Sequence, residues 1–284
     1  MPLPRRPAAL AARALDVGRG LRGRRELALI LVLATLAGCA WTFLEIADAV
    51  TEGETEAMDE RVLLLFREDG DPSDPVGPPG LESAVRDVTA LGSLTVVAFL
   101  TLVVVLYFFL DRRPRLGLYV LVAVAGGAAL SFALKLLYDR TRPPLIPAET
   151  LPRDPSFPSG HAAAAAVVYL TLGLLLARTL PRRALKVYVV ALGVVLAVAV
   201  GLSRLYLGVH WPTDVLAGWT LGGAWALLCW QAERMLQRRG VLERSVYVRR
   251  PRPPAQKEER EGVRPPGAAP GGGPASAAAP APPA

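Results

Sequence analysis

Six long apolar segments leave this chain few ways to fold. They run approximately Leu27–Leu44, Thr89–Leu110, Leu116–Leu134, Ala162–Ala177, Val187–Leu202 and Val215–Trp230. A helix crossing a bilayer core needs about 17–25 apolar residues, so the fourth and fifth segments must recruit flanking residues. None alternates with period two, which excludes a strand reading. Composition agrees: 52% of residues are hydrophobic, 20% are charged and the mean hydropathy is +0.35. A soluble domain carries about 25% charge, so the composition points to a membrane protein rather than a soluble cytosolic enzyme. Gly126-Gly127-Ala128-Ala129, Ala162 to Ala166 and Gly222-Gly223-Ala224 put small residues in the third to sixth segments. Small residues let helix backbones approach closely in lipid. The expected fold is all-α, a six-transmembrane-helix bundle over residues 26–240. A basic segment, 1–25, precedes it, and a tail, 241–284, follows.

The formal net charge of +7 does not point to nucleic acid, because the basic residues are segregated as membrane topology requires. Residues 1–25 hold seven Arg and one Asp. Arg112, Arg113 and Arg115 follow the second segment. Arg178, Arg182, Arg183 and Lys186 follow the fourth, and Arg234, Arg238 and Arg239 follow the sixth. These four regions belong on one side, taken as the cytoplasm. The loop 45–88 holds 13 acids against three Arg and belongs outside. Both termini are then expected to be cytoplasmic in a multi-pass membrane protein.

Within the outer loop, Met58, Val62, Leu65 and Phe66 follow helical spacing, as an interfacial helix would. The breakers Asp71-Pro72-Ser73-Asp74-Pro75 and Gly77-Pro78-Pro79-Gly80 end it. From about Arg249 to Ala284 the chain is rich in Pro, Ala and Gly, a composition that reads as a disordered, solvated tail. Cys39 and Cys229 sit in apolar segments, which argues against a disulfide. Leu36-Ala37-Gly38-Cys39 resembles a lipoprotein cleavage box, but the apolar run continues through Leu44, as in a first membrane helix.

Four basic residues fall on the wrong side: Lys135, Arg140, Arg142 and Arg204. Snorkelling to headgroups is the ordinary explanation for such residues. Lys135 and Arg142 are seven apart, which returns to nearly the same helical face if the third helix continues to Pro143-Pro144. The chain's two histidines fall in the same outer region. His161 lies in Pro158-Ser159-Gly160-His161, and His210 lies in Val209-His210-Trp211-Pro212-Thr213-Asp214.

Cations and histidines gathered at one membrane face suit phosphoryl transfer, whose transition state spreads negative charge over the phosphate oxygens. Lys135, Arg142 and Arg204 match that charge, with Arg able to grip oxygens bidentately. Ser159 and Gly160 open a helix whose free N–H groups attract an anion. One His attacks phosphorus and the other protonates the leaving oxygen. Asp214, four residues after His210, falls in the first turn of a helix begun by Pro212 and holds the imidazole tautomer.

These blocks resemble the type-2 phosphatidic acid phosphatase superfamily, which also includes vanadium haloperoxidases. Its three-part signature, K-x6-RP, PSGH and SR-x5-H-x3-D, is matched at every position by Lys135 with Arg142-Pro143, by Pro158 to His161, and by Ser203-Arg204 with His210 and Asp214. The resemblance spans about Leu116 to Trp230. It implies that His210 is the nucleophile forming a phosphohistidine, oriented by Asp214. It implies that His161 is the general acid and then activates water. Lys135, Arg142, Ser159, Gly160 and Arg204 are the implied phosphate ligands, while Ser203 caps or orients. Asp139, Arg140 and Tyr206 lie among the motifs as shaping residues only. No cofactor and no metal are implied.

The expected activity is that of a lipid phosphatase at the outer membrane face. Its partners are the bilayer and a phospholipid or polyprenyl phosphate substrate: phosphatidic acid, phosphatidylglycerophosphate or undecaprenyl diphosphate. Nucleic acid is not an expected partner. A phosphotransferase would use the same phosphohistidine with another acceptor. A haloperoxidase would need vanadate in this pocket, and the six segments argue against its soluble architecture. A non-catalytic lipid binder or transporter would carry damaged signature positions, and none is damaged.

Overall fold

A computed structural model describes residues 6–145 and 154–243, with side chains from Glu26 onward except Ala28. The expected tail lies outside the described residues beyond Glu243. The elements, in order, are α1 (Arg6–Thr51), α2 (Glu56–Leu64), β1 (Arg67–Glu68), β2 (Asp71–Pro75), α3 (Pro79–Ala90), α4 (Leu94–Leu110), α5 (Pro114–Tyr138), α6 (Gly160–Thr179), α7 (Arg183–Tyr206) and α8 (Pro212–Arg238).

The protein is mostly helical, as expected. Among the described residues, Leu29–Thr51, Pro114–Tyr138, Gly160–Thr179 and Arg183–Tyr206 are each long and apolar enough to cross a membrane. The bent pair α3 and α4 makes a fifth candidate. α8 is long enough, but Trp219, Trp225, Trp230 and three glycines dilute its aliphatic content. Large apolar side chains lie exposed along these helices, including Phe99, Leu106, Phe132, Val187 and Val195. An apolar surface of this extent needs lipid around it.

α6 lies at the centre, packed against α5, α7 and α8. Alanine and glycine allow this. A Cβ on Gly222 would lie 2.6 Å from the Ala163 carbonyl oxygen, and one on Gly218 would lie 2.7 Å from that of Ser159. Bulk returns as tryptophan: Trp225 Nε1 donates to Ala123 O at 2.7 Å, and Trp219 Nε1 donates to Ala197 O at 2.9 Å. α6 and α8 start side by side, where Ser159 N donates to Asp214 O at 3.0 Å. They also end side by side, where Arg178 pairs with Glu233 and donates to Gln237 Oε1 at 3.3 Å.

Three local expectations are revised. The second apolar segment is not one helix but bends by 46° between α3 and α4. Gly92 at the bend packs on α7 and α6, and its Cβ would lie 2.5 Å from Val200 Cγ1. Ser93 restarts the helix by accepting from Val96 N at 3.3 Å. The third helix does not continue to Pro143. It ends at Tyr138, so Lys135 and Arg142 do not share a helical face. The breaker-rich part of the outer loop forms an antiparallel β1–β2 ribbon, with Arg67 opposite Pro75 and Glu68 opposite Asp71.

The apolar stripe read from the sequence is split: Met58 and Leu65 are 46% and 76% exposed, while Phe66 packs beside Leu63 against Ala162, Leu205 and Val215. The face turned into the protein carries Thr55, Asp59 and Leu63. α1 braces the site end of the bundle. Phe157 is fully buried between Phe43 of α1 and Tyr138 of α5, with ring centroids 5.8 Å and 5.2 Å away.

Candidate active site

Three pieces of chain meet at one end of the bundle. α5 and the coil after it bring Lys135, Arg140 and Arg142. The loop anchored by Phe157 brings Asp154, Ser156 and Ser159 into the start of α6. The turn between α7 and α8 brings His210 and Asp214. Pro212 occupies the first turn of α8, where its missing N–H costs nothing. Asp214, two residues on, accepts from Trp211 N at 2.9 Å.

His210 is 2% exposed and Asp214 is fully buried. His210 Nδ1 lies 3.4 Å from Asp214 Oδ2 and 3.3 Å from Ser156 Oγ. Its other nitrogen, Nε2, lies 3.2 Å from Arg142 Nη1. A guanidinium only donates. Nε2 must therefore offer a lone pair to Arg142, and the ring proton sits on Nδ1, facing Asp214. Burial pulls the His210 pKa down to about 4; the Asp214 hydrogen bond and charge oppose this, while Arg204 and Arg142 add to it. The imidazole is neutral at physiological pH, with its unprotonated nitrogen toward Arg142.

Asp214 accepts more than a histidine needs. Oδ2 takes Ser156 Oγ at 2.5 Å as well as Trp211 N, and Oδ1 takes Arg140 Nη1 at 2.7 Å. Arg140 also donates to Thr213 Oγ1 at 2.8 Å, Thr55 Oγ1 at 3.2 Å and Asp59 Oδ2 at 2.7 Å.

Lys135 and Arg142 converge despite the early end of α5. Asp154 joins them, with Oδ2 2.7 Å from Lys135 Nζ and Oδ1 3.0 Å from Arg142 Nη2. One carboxylate thus spans the two cations as two oxygens of a phosphate would. Burial raises the Asp154 pKa, but the Lys135 hydrogen bond and the Lys135 and Arg142 charges outweigh it and hold the carboxyl below its ordinary value. Arg204 is buried; its Nη1 donates to Thr89 Oγ1 at 3.1 Å, and its Nε has no protein partner. Ser159 is the N-cap of α6, with a buried, unpartnered hydroxyl. Ser203 Oγ donates to Val200 O at 2.6 Å, within its own helix.

His161, Gly160, Lys135 and Asp154 line a cavity of about 230 Å3. The cavity follows α5 through Ser131, Ala128 and Val124, and α6 through Ala164 and Val168, so it turns apolar one helical turn at a time. Among the described residues no three His, Cys, Asp or Glu side chains converge as a metal site.

The structure gathers the sequence-derived residues at one end of the bundle. Asp59, Asp154, Ser156 and Thr213 were missed, and Arg140 was passed over as a shaping residue. Asp154 and Ser156 lie within a few residues of His161, and Thr213 adjoins Asp214. Asp59 left no comparable signal: it lies 81 residues from Arg140, in a loop whose acids read as topology.

Residues 116–238 match the family model of the PAP2 superfamily. The chain is also 33% identical over 189 residues to phosphatidylglycerophosphatase B of Bacillus subtilis (strain 168), covering 63% of this chain and 85% of that protein. The chain belongs to the PAP2 superfamily. An undecaprenyl-diphosphatase of Sulfolobus acidocaldarius is 34% identical over 136 residues, 46% of this chain and 62% of that one. The crystal structure of a transmembrane PAP2-type phosphatidylglycerolphosphate phosphatase from Bacillus subtilis superposes with a TM-score of 0.63 at 29% identity, covering 72% of this chain and 98% of that one. This PAP2 protein is a multi-pass membrane lipid phosphatase, and the phosphohistidine mechanism is general to its family.

Proposed function

We propose that the protein removes the terminal phosphate of phosphatidylglycerophosphate at the outer face of the membrane. The observation that carries this reading is the cavity: Lys135, Asp154, Gly160 and His161 line its polar end, and it continues along α5 and α6 into an apolar channel. A lipid phosphate has that same division of charge and chain. Similarity to a phosphatidylglycerophosphatase over most of its length supports the choice of lipid.

In this reading Lys135, Arg142, Arg204 and the N-terminus of α6 at Ser159 and Gly160 bind the phosphate, which displaces Asp154. His210 Nε2 attacks phosphorus while Asp214 holds the Nδ1 proton. The P–O bond to the lipid breaks as the N–P bond forms, and His161 gives its proton to the leaving oxygen. His161 then takes a proton from water, which attacks the phosphohistidine and frees inorganic phosphate.

Six crossings complete the topology: α1, the bent α3–α4 pair, α5, α6, α7 and α8. α8 qualifies because it begins and ends level with α6, a candidate span. The basic clusters 112–115, 178–186 and 234–239 lie at the ends of their helices away from the site. The positive-inside rule then puts both termini in the cytoplasm and the site outside.

The test is phosphate release by purified protein in detergent, without added divalent metal, from phosphatidylglycerophosphate, phosphatidic acid and undecaprenyl diphosphate. A clear preference for the first, abolished by His210→Ala, is expected. Full activity in His210→Ala overturns the mechanism. A preference for undecaprenyl diphosphate overturns the substrate, and transfer of labelled phosphate to an added alcohol without hydrolysis overturns the reaction class.

A further inference from the structure

α2 turns an aspartate inward. Thr55, Asp59 and Leu63 form its buried face, and Asp59 is fully buried while its apolar neighbours Met58 and Leu65 are exposed. α2 therefore docks through one apolar contact, Leu63 against Ala162, Leu205 and Val215, and one buried carboxylate. Asp59 is fully engaged. Oδ1 accepts Thr213 N at 3.0 Å, and Oδ2 accepts Thr213 Oγ1 at 2.6 Å and Arg140 Nη2 at 2.7 Å. Arg140 then reaches Asp214 through Nη1, and its guanidinium lies 5.5 Å from the Trp211 ring. The buried sequence is therefore Asp59, Arg140, Asp214, His210, running from the outer loop to the imidazole.

Charge balance gives this chain of contacts a purpose. Arg140 carries one positive charge between two buried carboxylates. With Asp59 present, the guanidinium is shared, and Asp214 keeps enough acceptor strength to hold the His210 proton. Without Asp59, the whole charge of Arg140 falls on Asp214, and Asp214 becomes a poorer partner for Nδ1–H. Other charged or titratable groups face this pair as well: Lys135 from α5, Arg142 from the coil after α5, Asp154 from the loop before α6, His161 from α6 and Arg204 from α7. Those groups meet the phosphate side of His210. Asp59 and Arg140 act on the Asp214 side.

We propose that Asp59 is a positioning residue for phosphoryl transfer, acting through Arg140 to set the orientation and basicity of the Asp214–His210 pair, so that outer-loop helix α2 is part of the active-site machinery. This rests on the reading of His210 as nucleophile and Asp214 as its partner. Asp59 touches neither substrate nor imidazole, so its removal weakens the chemical step and leaves lipid binding intact.

The experiment is a double-mutant cycle on the full-length protein in detergent, using Asp59→Asn, Arg140→Gln and the pair, with lipid phosphate hydrolysis followed against pH. Asp59→Asn is expected to lower kcat at least tenfold with KM within threefold, and Asp59→Glu to recover part of the loss. Asp59→Asn moves the acid limb of kcat/KM to lower pH, and Arg140→Gln moves it to higher pH, because the two remove opposite charges from one line of contacts. Adding Asp59→Asn to Arg140→Gln costs less than threefold more, since an uncompensated Arg140 is no longer there. Should Asp59→Asn fail to fold, the pair carries the test: the double variant melts above Arg140→Gln alone, whose Asp59 is buried without its cation. Limb shifts in one direction, additive losses, or unchanged kcat in Asp59→Asn overturn the proposal while leaving His210 and Asp214 in their roles. Activity surviving in His210→Ala overturns the underlying reading instead.

Discussion

Asp214→Asn tests the tautomer argument most directly. The substitution keeps size and shape and removes one charge. Arg140 Nη1, 2.7 Å from Oδ1, admits only an acceptor, so the amide oxygen must take that position. The new NH2 then occupies the Oδ2 position, facing Ser156 Oγ, the Trp211 N–H and His210 Nδ1. The Trp211 donor now meets a donor, and His210 Nδ1 is satisfied only as an acceptor. The ring proton moves to Nε2, the nitrogen that now offers its lone pair toward Arg142. The nucleophilic nitrogen is lost while the fold is kept. Wrong-tautomer substitutions of this kind cost about 10^3–10^4 in rate, or ~4–5.5 kcal/mol of transition-state stabilisation. The assay is steady-state phosphate release together with trapping of phosphohistidine in a single turnover by an alkaline denaturing quench, which preserves the acid-labile P–N bond. Both signals should fall together, with a monodisperse protein whose KM stays within a few-fold of wild type. Retention of more than a tenth of kcat would refute the reasoning, because it would mean that Nδ1 does not need an acceptor.

Four further outcomes are expected. Lowering pH should reduce kcat/KM only as it approaches about 4, because the folded-state pKa of His210 is depressed from 6.5 and the ring stays neutral above it; a limb near 6.5 contradicts this. The same depression means that the unfolded chain binds the proton first. Stability contributed by neutral His210 is therefore present above 6.5 and is lost as pH falls from 6.5 through 4, measurable as melting temperature against pH. Asp154→Asn should tighten inhibition by inorganic phosphate a few-fold, since the carboxylate that bridges Lys135 and Arg142 no longer competes; the effect is small because Asp154 is half exposed and such pairs contribute about 0–1 kcal/mol. Gly222→Val should lower the melting temperature in detergent, since its Cβ would meet Ala163 O at 2.6 Å and overpacking costs about 1–3 kcal/mol; an unchanged melting temperature shows that α6 and α8 are not in close contact.

The membrane helices were legible because lipid imposes one rule on every residue of a span. A run such as Leu116–Leu134 has no other stable use, and its Gly126-Gly127 pair announced a close neighbour without naming Trp225. Lys135, Arg142, His161, Arg204, His210 and Asp214 were legible because the chemistry of phosphate demands those types at set spacings within short blocks. Between blocks the reading failed. Helical periodicity put Lys135 and Arg142 on one face of a continuous helix, yet α5 stops at Tyr138 and the two meet instead on Asp154. The apolar stripe Met58, Val62, Leu65 and Phe66 did not separate the faces of α2, and the inward face had to be found from its partners.

The sequence by itself determined the bundle, its small-residue seams and the chemistry concentrated at one end, since hydropathy and motif spacing are local properties. Only the tertiary structure decided that Asp59 joins Asp214 through Arg140, that Ser156 shares the His210 partner, and which imidazole nitrogen is free. Those facts depend on contacts across 58 to 81 residues of chain. A buried carboxylate and an exposed one are the same letter until packing removes water from one of them.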